Sequence, residues 1–256
     1  MPAIAIKQAL NEGFLVFVYV VAGEEDNYPG AEKVERVRIE KFGALLKLFQ
    51  KDKIKYMFIV GKVTKKVFFK DLPFDLKSLS VLRKMANKND HEIFTVIAKE
   101  IESLGIEIFS QTRLLKSLLA DEGVLSRKKP DKNQMPDIEH GLSMASGLSE
   151  LDIGQTVVVS KGVVWAVEAM EGTDETIERA GRLMKNRECV VCKCSRKNQD
   201  FRFDIPTVGI QTLETMKKNN AKVLAVEADR TLIVSKEEFI RKADELGVVI
   251  TSRQLK

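Results

Sequence analysis

The residues best suited to chemistry lie in one stretch, 193–209, which reads Lys-Cys-Ser-Arg-Lys-Asn-Gln-Asp-Phe-Arg-Phe-Asp-Ile-Pro-Thr-Val-Gly. If residues 200–205 are extended, their side chains alternate between two faces. Asp200, Arg202 and Asp204 then share one face, and Phe201, Phe203 and Ile205 share the other. The apolar face would anchor the strand in a core and the polar face would meet a cleft. Pro206 ends regular pairing, and Thr207 puts a hydroxyl close to the last carboxylate. A carboxylate–guanidinium–carboxylate row suits a phosphate ester bound with a hard cation. Mg²⁺ takes oxygen ligands, typically one or two carboxylates with substrate phosphate oxygens and waters. Arginine clamps a phosphate with two hydrogen bonds. An edge strand with a solvated ion pair, worth at most about 1 kcal/mol, explains the same row, so periodicity leaves both readings open.

A second candidate is residues 168–174, Glu-Ala-Met-Glu-Gly-Thr-Asp, at the end of a strand and the start of an expected helix over 174–184. Backbone N–H groups at such a helix start favour anions. Thr173 reads equally as a plain helix cap, and Glu168 and Glu171 as surface charges. Lys193 would pair with phosphate or run its stem along the strand. Gly61-Lys62 and Asn89-Asp90 are weaker signals, more often a turn and a cap. The chain carries no Ser-His-Asp arrangement, Walker A loop or intact dinucleotide-binding glycine fingerprint. With two histidines in 256 residues, imidazole chemistry is not expected.

Cys189, Cys192 and Cys194 are the chain's three cysteines. Structural zinc takes four Cys or His ligands, and His91 and His140 lie far away in sequence. Cys192 and Cys194 would share one face of a strand, where cysteine packs as a small apolar residue. The odd count also argues against a disulfide framework.

These residues need elements to position them. Residues 14–21 are continuously apolar and β-branched, which fits a strand covered on both faces as in a parallel sheet. Phe42, Leu45, Leu46 and Phe49 follow helical spacing, and residues 56–60 read as a second buried strand. Helices are expected over 76–88, 90–104 and 111–120, with an extended segment at 106–109. This alternation argues for an α/β layer architecture. Residues 123–136 are polar, charged and broken by Pro130 and Pro136, which suits a linker. Beyond it, residues 156–168 form two β-rich runs around Ser160-Lys161-Gly162, a hairpin signal. Strands are expected at 189–195, 223–227, 231–234 and 248–251, with helices near 212–219 and after Ser235. Ser235 and Glu238 make a capping-box pattern.

The chain is long enough for two domains of about 100–200 residues each. Its apolar fraction of 44% and charged fraction of 31% are those of an ordinary globular protein. The longest apolar run, 14–22, is under half the ~20 residues that a spanning helix needs. No secretory signal pattern precedes it, so the cytoplasm is the expected location. The net charge of +5 is a mild excess. Its densest cluster, Arg127-Lys128-Lys129, falls in the linker rather than on a face interleaved with aromatics, so nucleic acid is not an expected partner.

Three strings together resemble one family. They are Leu151-Asp-Ile-Gly-Gln155, then Val-Glu-Ala-Met-Glu-Gly-Thr-Asp174, then Asn-Gln-Asp-Phe-Arg-Phe-Asp-Ile-Pro-Thr-Val-Gly209. The family is the UDP-2,3-diacylglucosamine pyrophosphatases of lipid A biosynthesis, of the type found in bacteria lacking the calcineurin-like enzyme. Glu227-Ala228 and Ala243-Asp244-x-x-Gly247 look like its closing elements, and the likeness extends from Pro2 onward. The resemblance implies an Mg²⁺-dependent hydrolase that splits UDP-2,3-diacylglucosamine into UMP and 2,3-diacylglucosamine 1-phosphate. It implies two domains, with the lipid substrate held between them. The catalytic aspartate of the family's Asp-Ile/Leu-Pro-Thr motif falls on Asp204. Lys193, Gln199, Arg202, Thr173 and Thr207 are carried as substrate contacts, and Asp204 and Asp174 as metal ligands.

The expected fold is therefore α/β in two domains. Residues 1–122 form a Rossmann-like parallel sheet with helices, 123–136 a linker, and 137–256 a mixed α/β catalytic domain. The acyl chains imply peripheral contact with the inner membrane leaflet, and a homodimer is left open. Three positions depart from the family pattern. The chain begins at Met1-Pro2 where the family has a strand and a glycine-rich loop, so either the true start lies upstream or that strand is absent. Asn89-Asp90 replaces a Gly-Asp pair, and Lys197 replaces a common proline. The alternative is a non-catalytic nucleotide-sugar or lipid-carrier binding protein on the same fold.

Overall fold

The computed structural model describes residues 1–21, 27–61, 90–185 and 187–255. Expected elements at 76–88, together with Lys62 and Asn89, lie outside the described residues. The chain divides into two compact units, Met1–Leu115 with Asp200–Phe203, and Lys116–Gln199 with Asp204–Lys256.

The first unit opens on helix α1 (Pro2–Asn11), which sequence reading did not anticipate. Pro2 stands in its first turn, where a missing N–H costs nothing. Strand β1 (Phe17–Val20) pairs in parallel with β2 (Lys33–Arg36), and β3 (Tyr56–Phe58) with β4 (Glu107–Phe109). The parallel pairing agrees with expectation, although the strands are shorter. Only Val20 of β1 is buried outright, and the preceding Leu15 is exposed. Helix α2 (Phe42–Lys51) buries Phe42, Leu45, Leu46 and Phe49 as their spacing predicts. These side chains form one core with Ile97, Ala98 and Ile101 of α3 (Asp90–Glu102), Ile106, Ile108 and Phe203. The expected helix at 111–120 is two short pieces, α4 (Gln111–Leu114) and a 3₁₀ turn at Lys116–Leu118.

The second unit is built on a six-stranded mixed sheet. Its strands are β5 (Gly123–Val124), β6 (Thr156–Ser160), β7 (Val163–Val167), β8 (Cys189–Lys193), β10 (Ala221–Glu227) and β12 (Val249–Arg253), in the order β5-β12-β10-β8-β6-β7. β8, β10 and β12 run parallel, and β5, β6 and β7 make antiparallel pairs at the two margins. A smaller parallel pair joins β9 (Thr207–Val208) to β11 (Leu232–Ile233). The β6–β7 hairpin turns at Lys161 and Gly162, both with positive φ (52° and 75°). That is the backbone which matches the twist of a tight hairpin. Asp137 accepts both turn amides, from Lys161 N at 2.8 Å and Gly162 N at 2.6 Å.

Alternation along the strands builds two cores, one on each face of this sheet. Val157, Val159, Val190, Cys192, Cys194, Val223 and Ala225 pack under Ile138, Leu142 and Ala145 of α5 (Met135–Glu150). Val158, Val191, Leu224, Val226 and Ile250 face α6 (Thr173–Met184), α7 (Ile210–Lys218) and α8 (Lys236–Leu246). Cys192 and Cys194 thus share one apolar face, as their spacing suggested. Gly141 is what lets α5 approach, because a Cβ there would meet Cys192 Sγ at 2.5 Å.

Two local readings differ from the structure. Ser235 precedes α8 with φ +51° and makes no side-chain cap bond, so the capping box does not form. Part of the stretch read as linker is woven into the second unit. Val124 pairs with Thr251, and the Ser126 hydroxyl accepts Ile250 N at 2.9 Å.

Candidate active site

The row of three polar residues does not form. Residues 200–205 are not a strand but a reverse turn, in which Phe203 N donates to Asp200 O at 3.1 Å. Phe203 is buried in the core of the first unit and stacks on Phe94 at 5.6 Å between ring centroids. Gln111 N donates to Phe201 O at 2.7 Å, which ties the same turn to α4. Arg202 folds back on Asp200, with Nε and Nη2 donating at 2.7–3.1 Å, and gives Nη1 to Glu102. These carboxylates hold the Arg202 guanidinium above its ordinary pKa, Asp200 most of all. Asp200 and Arg202 therefore belong to the first unit, and Asp204 to the second. Period-two spacing grouped residues that fall in different units.

Within the second unit, several named residues do converge at the carboxyl ends of β8 and β10. That end of parallel strands is where open α/β sheets bind ligands. Lys193 ends β8 and is only 6% exposed. Its ammonium donates to Thr173 Oγ1 at 2.6 Å. Thr173 opens α6 behind Gly172, whose φ of +89° suits glycine. The Thr173 hydroxyl donates to Glu168 Oε1 at 3.0 Å and lies 3.2 Å from Thr156 Oγ1. With its one hydrogen given to Glu168, Thr173 must accept from Thr156. Two acceptances and one donation saturate this hydroxyl, so its work is to hold Lys193. Among the described residues the bond to Thr173 is the one hydrogen bond of the ammonium, which leaves two further donors.

Asp204 is held in a similar way. Gln199 Nε2 donates to Asp204 Oδ2 at 2.6 Å and reaches its carbonyl at 3.3 Å. Gln199 Oε1 accepts from Arg196 N at 2.9 Å and from Gln155 Nε2 at 3.1 Å. The reversed amide would set NH₂ against two donors, so the network dictates its orientation. Gln155 N in turn donates to Glu168 Oε2 at 3.2 Å. One connected path thus runs from Lys193 through Thr173, Glu168, Gln155 and Gln199 to Asp204. Asp204 is exposed, and its Oδ1 accepts no hydrogen bond among the described residues.

Thr207 lies apart from this path, with its hydroxyl donating to Ile205 O at 2.9 Å. Asp174, beside Thr173 in the first turn of α6, has a buried Oδ1 with no partner among the described residues. Glu171 accepts from Arg179 at 2.6 Å and from Ala169 N at 3.1 Å. Its pKa is lowered, chiefly by its own backbone N–H and by Arg179. Sequence reading treated Glu168 as a surface charge and did not single out Gln155, Ser195 or Arg230. A polar residue at the end of each β-run, as with Gln155, Glu168, Lys193 and Glu227, was the available signal.

Among the described residues, no group of three His, Cys, Asp or Glu side chains is placed to hold a metal. A hard cation that takes most of its oxygens from substrate and water does not need one. The orphaned Asp174 Oδ1 and the open Asp204 Oδ1 are donors of the right chemistry for it.

Comparison with known proteins covers nearly the whole chain. The family described as the LpxI N-terminal domain matches residues 1–118, and the LpxI C-terminal domain matches residues 121–251. A UDP-2,3-diacylglucosamine pyrophosphatase LpxI from Caulobacter vibrioides is 32% identical over 235 residues, which is 88% of this chain and 82% of that protein.

Proposed function

The chain belongs to the LpxI family, and from that premise we propose that it hydrolyses the pyrophosphate bond of UDP-2,3-diacylglucosamine. The products are UMP and 2,3-diacylglucosamine 1-phosphate. The observation that carries this reading is Asp204 itself. Its carboxylate is pinned through one oxygen by Gln199 and open at the other, in a chain that matches the family over both domains.

In this reaction a water oxygen attacks one phosphorus, the P–O bond to the bridging oxygen breaks, and the water loses a proton. Asp204 is exposed, and its Oδ1 orients the water and takes that proton. Lys193 offers its two remaining N–H donors to the phosphate oxygens, and burial strengthens each contact. Thr173 and Glu168 hold that ammonium, and Gln199 holds the acid, so neither needs to reorganise during reaction. Mg²⁺ held by Asp204 and Asp174 would neutralise charge developing on the phosphates. Arg202, in the first unit, would have to give up one of its carboxylate partners to meet a phosphate.

The substrate is a lipid, and peripheral contact with the inner leaflet from the cytoplasmic side belongs to the same proposal. Leu151, Ile153 and Met170 are 72%, 48% and 96% exposed. They sit on two loops that meet where Gly154 abuts the Glu168 carbonyl, since a Cβ at Gly154 would lie 2.1 Å from that oxygen. Apolar side chains beside a lipid-processing site suit acyl chains. No helix among the described residues is long and apolar enough to cross a membrane.

The test is release of UMP from UDP-2,3-diacylglucosamine by the purified full chain. UMP appearing with Mg²⁺ and stopping on addition of EDTA supports the reading, and no UMP with Mg²⁺ present overturns it.

A further inference from the structure

We propose that Glu227 and Arg230 are positioning residues that set the Asp204 carboxylate through the loop 195–199. This rests on the reading that Asp204 carries the hydrolysis.

Glu227 is the last residue of β10 and is 7% exposed. A carboxylate that deep is tolerated only when its oxygens are paired. Its Oε2 accepts from Ser195 N at 2.8 Å and from Ser195 Oγ at 2.6 Å, and its Oε1 lies 3.1 Å from Arg230 Nε. Arg230 reaches the same loop. Its Nε donates to Ser195 Oγ at 2.6 Å, and its Nη2 to the carbonyls of Arg196 and Lys197 at 2.7 and 3.2 Å. Two charged side chains, one ending β10 and one in the turn that follows it, thus grip three consecutive residues after β8. The gripped segment includes Arg196, whose N–H holds Gln199 Oε1 and thereby turns Gln199 Nε2 toward Asp204. Asp204 is exposed and takes its one described side-chain bond from that amide, so loop position becomes carboxylate position.

An ion pair with one buried partner, as here, is a poor source of net stability, since well-packed apolar residues often serve as well. What this pair adds is direction. It specifies where two carbonyls and one N–H of the loop must lie. The Lys193–Thr173–Glu168 arm meets this loop at Gln199, through Gln155, and not at the gripped residues Ser195–Lys197, so loosening the brace should disturb the acid more than phosphate binding.

The experiment measures kcat and KM for UMP release by the full chain in Mg²⁺, alongside thermal midpoints. The variants are Glu227→Gln, Arg230→Lys, Gln199→Ala and the Glu227→Gln/Gln199→Ala double. Arg230→Lys keeps the charge beside Glu227 and removes the forked reach to the two carbonyls, so it reports even if Glu227→Gln folds poorly. The expected result is a fall in kcat of at least about tenfold with KM within about twofold, since ~1 Å of misplacement of a reacting group costs about a hundredfold. The double variant should be no worse than the poorer single, because both break one path. Multiplying losses, wild-type kcat in Arg230→Lys, or a fall explained by KM alone overturns the proposal. A second readout does not need turnover. The side-chain amide protons of Gln199 should exchange slowly in wild type and quickly in Arg230→Lys. A wild-type chain that releases no UMP would sink the hydrolytic reading, while unchanged amide exchange would sink the brace.

Discussion

Replacing Thr173 with valine keeps the shape of the side chain and deletes its hydroxyl. Three interactions go with it, to Lys193 at 2.6 Å, Glu168 at 3.0 Å and Thr156 at 3.2 Å. They do not weigh equally. Glu168 is only half-buried, so water can replace its lost donor. Thr156 is fully buried and Lys193 is 6% exposed, so both keep unmet donors. Hydrogen bonds to charged groups are worth about 1.5–3 kcal/mol and neutral ones about 1 kcal/mol. Thr173→Val should therefore cost about 2–4 kcal/mol, whereas Thr173→Ser, which loses one methyl, should cost about 1 kcal/mol. Urea unfolding followed by fluorescence of Trp165, the chain's single tryptophan, reads the second unit directly. In the assay for UMP, valine should also raise KM, because the ammonium is no longer aimed. A valine variant within about 0.5 kcal/mol of wild type, a routine surface-change effect, would refute the claim that this hydroxyl holds Lys193.

Other consequences follow from the same packing and charges. Gly141→Ala should destabilise by about 1–3 kcal/mol through overpacking against Cys192 Sγ, and the loss should shrink in a Cys192→Ala background. An equal loss in both backgrounds, by urea unfolding, would contradict that contact. Burial pushes the Cys189 and Cys194 thiols up to about 12, and Cys192 higher still. A thiol reagent at pH 8 should label none of the three in the native protein and all three once it is unfolded, since the thiolate is the reactive form. Glu171 has a folded pKa below its unfolded value, so its contribution exists above the ordinary glutamate range and fades as pH falls through the folded value. Glu171→Gln should accordingly lower the thermal midpoint slightly at neutral pH, with the gap closing in acid. A gap that widens in acid would reverse the sign of this argument.

Much of the second unit could be read from its residues because the relevant forces are local there. Unbroken Val-rich runs, a Lys-Gly turn and cysteines at i and i+2 each specify strand, hairpin and face on their own. Helix α5 was not legible. Its Gly141, Ser143, Ser146 and Gly147 are weak helix formers, and Pro136 resembles linker punctuation although it stands in the helix's first turn. What forms α5 is the sheet face beneath Ile138, Leu142 and Ala145. The stretch 200–205 misled for a related reason. Asp-Phe-Arg-Phe-Asp-Ile alternates like a strand, but burial of Phe203 beside Phe94 and capture of Phe201 O by Gln111 bend it into a turn. Both partners lie about a hundred positions away, so no window of sequence contains them. Asp204 and Lys193 were nameable, yet Gln155, Glu168 and Arg230 become meaningful only when strand ends are set side by side.

The central claim is that Asp204 carries the hydrolysis, and Asp204→Asn tests it most directly. Asparagine keeps the size of the side chain and an acceptor for Gln199, and it removes the open carboxylate oxygen. The variant should keep the wild-type thermal midpoint and bind UDP-2,3-diacylglucosamine by calorimetry. Its UMP release in Mg²⁺ should fall at least about a hundredfold, the low end of what a positioned acid or base supplies. Turnover by Asp204→Asn at the wild-type rate would contradict the account.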